Sequence, residues 1–315
     1  AGENVGVCSV VGNFDDAQTG VKRIFSDTAF ADKLTARGWF LSSANSINWG
    51  RLLPQVVYYF STYCDYVNSG KISLGDELNF CVPTGNFGDI LAGYYAAQMG
   101  LPVNKLICAS NRNHVLADFF ETGIYDDKRP FYKSMSCSID ILISSNLERL
   151  IYTIAGQDAK KNSELMEALK KEGVYEITPE MKEKLSDFEG GYSTEEETKE
   201  TIGGTYKSTG YVMDTHTAVA AHVSRAYRDA SKDQKKMLVA STASPYKFAR
   251  SVMTAIDEKY DELEEFALID ELEKVSGVAI PNAIEEIRNA QIRHTKECDA
   301  DKMKETVKEI LGVEE

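Results

Sequence analysis

Short continuous apolar runs alternate along the chain with longer segments whose apolar residues recur every three to four positions, the period of a helix with one buried face. "LNFCV" (78–82), "KLICAS" (105–110) and "MLVAST" (237–242) are runs of the first kind and predict buried strands. "VGVCSVVG" (5–12) predicts another, followed by an amphipathic helix through "NFDDAQTGVKRIFSD" with Val21, Ile24 and Phe25 turned inward. Residues 41–67 predict a long apolar-aromatic helix, with capping types at 43–46 and Pro54 marking its first turns or a kink. Helices over 88–99 and 113–122 complete a strand–helix–strand–helix succession. At this spacing it means βαβ units and a parallel sheet, hence an α/β fold. Pro245 suits the first turn of a helix after the strand at 237–242.

Residues 157–210 change character: three charged stretches each close on glycine, with helix starts at Thr178–Pro179 and a capping box at Ser193 and Glu196. They predict a helical insertion packed outside the sheet. Residues 258–315 predict an acidic, mostly helical tail.

Composition narrows the functional classes. The formal charge of −14 over 315 residues argues against a nucleic-acid partner, which needs a basic face. No apolar run approaches the roughly 20 residues of a membrane span, and the first residues lack a signal-type core, so neither a membrane partner nor export is expected. The six cysteines are scattered without a CxxC pair, as for buried thiols in a reducing, cytoplasmic setting. The four histidines have no ligand spacing; His216 and His222, six apart, do not share a helix face, so no metal site is expected.

Candidate chemistry lies at the carboxyl ends of two strands, where open α/β sheets bind ligands. "PTGNFGD" follows the strand at 78–83, and "STASP" ends the run at 237–242. Gly85 and Gly88 permit backbone amides at a helix N-terminus to approach an anion such as phosphate. Asn86 could donate and Phe87 could wall the site, whereas the Asp89 carboxylate would repel phosphate unless it points away. The alternative is an ordinary tight turn that needs glycine for its dihedrals. The loop is neither GxGxxG nor a Gly-Lys-Ser/Thr P-loop, which disfavours a nucleotide.

Four separated motifs, "SSANSINWGRLLPQ", "PTGNFGDILAGYYAAQMGLPV", "DTHTAVA" and "STASPYKF", occur in the order found in threonine synthase, and the likeness extends over essentially the whole chain. The resemblance implies a fold type II pyridoxal 5′-phosphate enzyme, tryptophan synthase β-like, with an open, mostly parallel twisted sheet and helices on both faces. It implies that Gly85, Asn86, Phe87 and Gly88, with Thr84 adjacent, cradle the cofactor phosphate, and that the Thr242 hydroxyl partners the pyridine nitrogen. Asn48 and Arg51 become candidates for the substrate phosphate, since a guanidinium fork fits phosphate oxygens; a surface cation is the alternative for Arg51. His216 reads first as packing beside a cap at Asp214 or Thr215, and second as a site residue. The implied reaction is a β,γ-replacement that turns O-phospho-L-homoserine and water into L-threonine and phosphate.

The family's "FKD"-like segment, with the lysine that forms the Schiff base, and its Ser-Gly-Asp-Thr-Gly stretch are both missing. Lys247, nearest to a motif, lies outside the family's pattern, and Lys22, Lys33 and Lys105 fit no better. The resemblance therefore implies residues 1–38 as a remnant of the smaller domain and 39–315 as the large cofactor-binding domain. The whole would be the carboxyl-terminal part of an enzyme, inactive alone and of unknown oligomeric state. A related dehydratase or lyase, or a non-catalytic phosphate-ligand-binding domain, are the alternatives.

Overall fold

The computed structural model describes residues 4–12 and 14–313, which fall into two compact units, Ala1–Ser43 with Asn282–Glu315, and Ala44–Pro281. In the first unit, β1 (Cys8–Val11), α1 (Phe14–Ser26) and α2 (Thr28–Thr35) open the chain. The second runs through α3 (Trp49–Asn68), β2 (Leu78–Pro83), α4 (Gly88–Gln98), β3 (Val103–Ser110), α5 (Val115–Thr122) and β4 (Ile124–Asp126). It continues with α6 (Leu147–Ile154), α7 (Ala159–Glu172), β5 (Val174–Glu176), α8 (Pro179–Glu183), β6 (Phe188–Tyr192) and α9 (Glu195–Thr209). It ends with α10 (Thr215–Ser231), β7 (Met237–Val239), a 3-10 turn at Pro245–Phe248, α11 (Ala249–Ile256) and α12 (Glu265–Ser276). The last segment, α13 (Asn282–Arg288), β8 (Lys296–Asp299) and α14 (Met303–Leu311), belongs to the first unit.

The main sheet has the order β6-β3-β2-β7 with every neighbour parallel, the architecture expected from the βαβ pattern. Successive strand residues point to opposite faces, and both faces are covered. Leu78, Phe80 and Val82 of β2, with Leu106 and Cys108 of β3, join the core under α3, α4, α5 and α6. Cys81, Ile107 and Ala109 instead pack on Val219, Ala220 and Val223 of α10. Burial on both sides explains why these strands read as unbroken apolar runs.

Helix α3 buries the stripe Leu52, Val56, Tyr59 and Tyr63, and each such side chain contributes about 1.5–3 kcal/mol by leaving water. Its partner α4 approaches closely because Gly93 has no side chain: a Cβ there would stand 2.6 Å from the Tyr59 ring. Asn48, not a residue of the 43–46 stretch, caps α3 by accepting from the Gly50 N–H at 2.9 Å.

Several local expectations are corrected. Residues 157–210 do form α7, α8 and α9, yet Phe188–Tyr192 is the edge strand β6 of the main sheet. Its Gly190 and Gly191 look like helix stops in the sequence. They are close-packing sites: a Cβ on Gly190 would lie 2.6 Å from the Ala117 carbonyl oxygen of α5. The capping box joins Thr194 and Glu197, one residue beyond the expected pair, while Thr178 caps α8 with Pro179 in its first turn as expected. The strand at 237–242 shortens to Met237–Val239 and is only half-buried, because β7 is an edge.

In the first unit β1 is not buried, since its one neighbour is β8 in a two-stranded parallel sheet. Ile24 of α1 turns inward, whereas Val21 and Phe25 are 40% exposed. The expected boundary near residue 38 moves to Ser43, and the tail from Asn282 leaves the large domain. The cause is the β1–β8 pairing and a small core in which Ile24, Phe30 and Leu34 meet Met303, Val307 and Leu311.

Candidate active site

The loop between β2 and α4 is built so that its carbonyls are used and its amides are spared. The Thr84 N–H donates to the Ala109 carbonyl at 2.8 Å, extending the strand pairing one residue beyond Pro83. Ser144 Oγ then donates to the Gly85 carbonyl at 2.7 Å, and both the N–H and Nδ2 of Asn146 donate to the Asn86 carbonyl at 3.0 Å. The Gly88 N–H is taken by Asn86 Oδ1 at 3.0 Å. Among the described residues the N–H groups of Gly85, Asn86 and Phe87 have no protein acceptor. Unpaired amides just ahead of an 11-residue helix have the charge and direction that suit an anion.

Two glycines make room for this turn. A Cβ on Gly85 would lie 2.9 Å from Ile139 Cα, and one on Gly88 would lie 2.4 Å from Ser46 Oγ. The left-handed step falls on neither. Phe87 takes it, with φ 68° and ψ 4°, a conformation that costs a non-glycine residue about 1–3 kcal/mol. Its ring offsets the strain by complete burial against Phe120 and Phe188, at centroid distances of 5.9 and 6.0 Å. Phe87 is therefore an anchor beneath the loop and not a wall of the site, which corrects the expected role of its side chain.

The β2 and β7 ends diverge. β2 leads to α4 on one face, whereas β7 is entered from α10 on the other, and α11 packs on α9. Between them opens a cleft of about 860 Å³, placed where the strand order of a doubly wound sheet reverses. Gly85, Asn86 and Asp89 line one side, Ser241 and Thr242 the other, and Arg51 of α3 the rim. Of the residues singled out in the sequence, Gly85, Asn86, Arg51 and Thr242 thus meet in one space. Gly88 lies buried under Ser46, and Asn48 spends its side chain on capping and does not line the cleft. Arg51 makes no ion pair among the described residues. Among the described residues no lysine lines the cleft; the Lys247 ammonium sits over the Phe248 ring at 5.3 Å.

Sequence reasoning missed three supports. Ser46, Ser138 and Ile139 line the cleft, but only the fold brings 46 and 138–139 to the loop. His216 braces that wall: its Nε2 accepts from the Ser138 N–H at 3.1 Å, which leaves the ring proton on Nδ1, facing Asp214 Oδ1 at 3.2 Å. Asp214 caps α10 through the His216 and Thr217 N–H groups. Burial works to raise its pKa, but the bonds it accepts from the side chains and N–H groups of His216 and Thr217 hold it below the usual value. The buried Asn111 and Asn113 side chains and the half-buried Ser134 hydroxyl all donate to Asp140 Oδ1, which fixes the loop carrying Ser138 and Ile139.

Asp89 behaves otherwise. Its polar partner is the buried Tyr59 hydroxyl, 2.9 Å from the Asp89 carbonyl oxygen and 3.3 Å from Oδ1. Burial pushes the carboxyl up to about 6, against the opposing pull of that hydrogen bond.

Fold and cleft together define the class. Solved structures that superpose on the chain are fold type II enzymes, among them a pyridoxal phosphate-bound threonine synthase from Brucella melitensis (TM-score 0.77, 35% identity, 98% of this chain and 59% of that one). The yeast threonine synthase crystal structure matches with a TM-score of 0.80 at 34% identity, over 98% of this chain and 59% of its own.

Family and sequence comparisons point to threonine synthases and threonine synthase-like proteins. The family described as "Threonine synthase, C-terminal" matches residues 217–298. Human "Threonine synthase-like 1" is 46% identical over 260 residues, 82% of this chain and 35% of that protein. Threonine synthase of Saccharomyces cerevisiae is 36% identical over 329 aligned residues, 98% of this chain and 60% of the enzyme. The chain thus spans between a third and three-fifths of the length of these relatives.

Proposed function

We propose that this chain forms the pyridoxal phosphate-binding and substrate phosphate-binding part of a threonine synthase acting on O-phospho-L-homoserine in the cytoplasm. The observation that carries the reading is the cleft itself: a loop with three unpartnered amides faces a small hydroxyl across a space that also holds an unpaired arginine. The residues fit the cofactor. The amides of Gly85, Asn86 and Phe87 bind its phosphate, and the absence of a Cβ at Gly85 and Gly88 lets the loop turn tightly enough to do so. Thr242, which lines the same cleft, would partner the pyridine nitrogen through its hydroxyl; a neutral partner leaves that nitrogen less positively charged than an aspartate would. When bound, pyridoxal phosphate supplies the electron sink for carbanion chemistry at the substrate's carbons.

The chain's own residues do the rest. Arg51, at the exposed rim of the cleft, binds the substrate phosphate and stabilises it as it leaves through its guanidinium fork. Ser138 and Ile139, held by His216 and the Asp140 network, shape the wall of the cleft beside the loop. Proton transfer at the substrate carbons falls to a lysine that is not among the cleft-lining residues, so the chain is expected to bind and position without turning over. The six free cysteines are consistent with a reducing compartment.

The test is Arg51→Ala in a polypeptide that spans the full length of the relatives. A charged hydrogen bond of this kind is worth about 1.5–3 kcal/mol, so KM for O-phospho-L-homoserine should rise roughly ten- to a hundred-fold with the absorbance spectrum of the bound cofactor unchanged. Phosphate release separates the reading from a dehydratase. Unaltered kinetics would remove Arg51 from the site.

A further inference from the structure

Asp89 is the one acidic side chain lining the cleft among the described residues, and it stands in the first turn of α4, directly after the loop that presents the free amides. A carboxylate here conflicts with an anion site unless it changes charge. We propose that Asp89 takes up a proton when a phosphate monoester dianion seats on the 85–87 amides, and that the neutral carboxyl then donates a hydrogen bond at the phosphate end of the ligand. This rests on the reading of the cleft given above and adds to it a residue that couples ligand binding to protonation.

The surroundings allow little else. Tyr59 of α3 faces Asp89 and offers one hydroxyl proton, shared between the carbonyl oxygen and Oδ1. Arg51, on the same helix, lines the cleft without pairing with the carboxylate. Arg149 of α6, the helix packed beside α4, is engaged elsewhere: its Nη2 donates to the Ile47 carbonyl at 2.8 Å and its guanidinium faces the Trp49 ring at 5.7 Å. Among the described residues no cation thus holds Asp89 ionised, and burial already favours the neutral form, with ionisation near 6 in the ligand-free protein. A dianion placed on the adjacent amides acts in the same direction, because a like charge nearby disfavours a second negative charge. A neutral carboxyl has an O–H to give, so protonation converts repulsion into a bond.

The test is calorimetric titration with pyridoxine 5′-phosphate, which lacks the aldehyde and so needs no lysine. It is run at pH 7.5 in two buffers of different protonation enthalpy, with the wild type, Asp89→Asn and Tyr59→Phe. A phosphate monoester is already mostly dianionic at this pH, its second pKa being about 6. The wild type should take up close to one proton per ligand and Asp89→Asn close to none. At pH 8 Asp89→Asn should bind about ten-fold or more tighter, because the wild type must first protonate. Tyr59→Phe should keep the proton uptake and move the pH at which affinity declines upward. Equal proton numbers in wild type and Asp89→Asn would overturn the inference and leave the phosphate site standing. Absence of binding in all three would overturn both.

Discussion

Replacing Asp89 by Asn should stabilise the ligand-free protein, and the gain should depend on pH in a defined way. The carboxyl ionises near 6 in the fold against 3.8 as an ordinary aspartate. At about 1.36 kcal/mol for each pH unit between those values, holding Asp89 charged costs the folded state about 3 kcal/mol above pH 7. The folded-state pKa is raised, so the stability linked to the protonated form is fully present below about pH 4 and is lost as pH rises through 6. Asparagine keeps an acceptor for Tyr59 and never ionises. Urea denaturation should therefore show Asp89→Asn more stable by up to about 3 kcal/mol at pH 8 and by about half that at pH 5, where the wild type is already mostly protonated in the fold but ionised when unfolded. The side chain reaches the cleft water, which makes these figures upper bounds. A gain that is the same at pH 5 and pH 8, or a loss at pH 8, would refute the assignment of desolvation as the dominant influence on this carboxyl.

Other consequences follow from close approaches and buried caps. Gly190→Ala drives a Cβ into the Ala117 backbone. The helix must lift from the strand, and a loss of about 2–3 kcal/mol is expected in chemical denaturation. Gly88→Ala meets Ser46, so pyridoxine 5′-phosphate affinity should fall by at least about ten-fold while circular dichroism stays native; retained affinity would show that the turn tolerates widening. Asp214→Ala removes the acceptor for two N–H groups at the start of α10 and for the His216 side chain. A buried cap of this kind is worth about 2 kcal/mol, measurable as a lower urea midpoint with an unchanged slope.

The strands at 78–83 and 105–110 were legible because both of their faces are buried, so most of their positions are apolar on either side. The loop at 84–89 was legible as a candidate because its glycines and the helix behind it are local features. Gly190 and Gly191 were misread for the same reason in reverse. Glycine closes a helix and also admits a neighbouring helix onto a strand, and only the presence of α5 tells the two uses apart. Phe87 was placed on the wrong side of its loop, since a left-handed step at a non-glycine residue leaves no mark in the sequence and turns the ring into the core.

By itself the sequence determined the strand–helix alternation, the position of the candidate anion-binding turn and, through four ordered motifs, the likeness to threonine synthase. Those properties depend on neighbours within a few residues or on short patterns kept in order. The tertiary structure alone decided that Arg51, Asn86, Asp89 and Thr242 face one cleft, that Asn48 does not, and that residues 282–313 close on the first unit. Such outcomes depend on strand order and on contacts between residues far apart in the chain. They include the desolvation of Asp89, which sets its charge and which no local pattern of residues encodes.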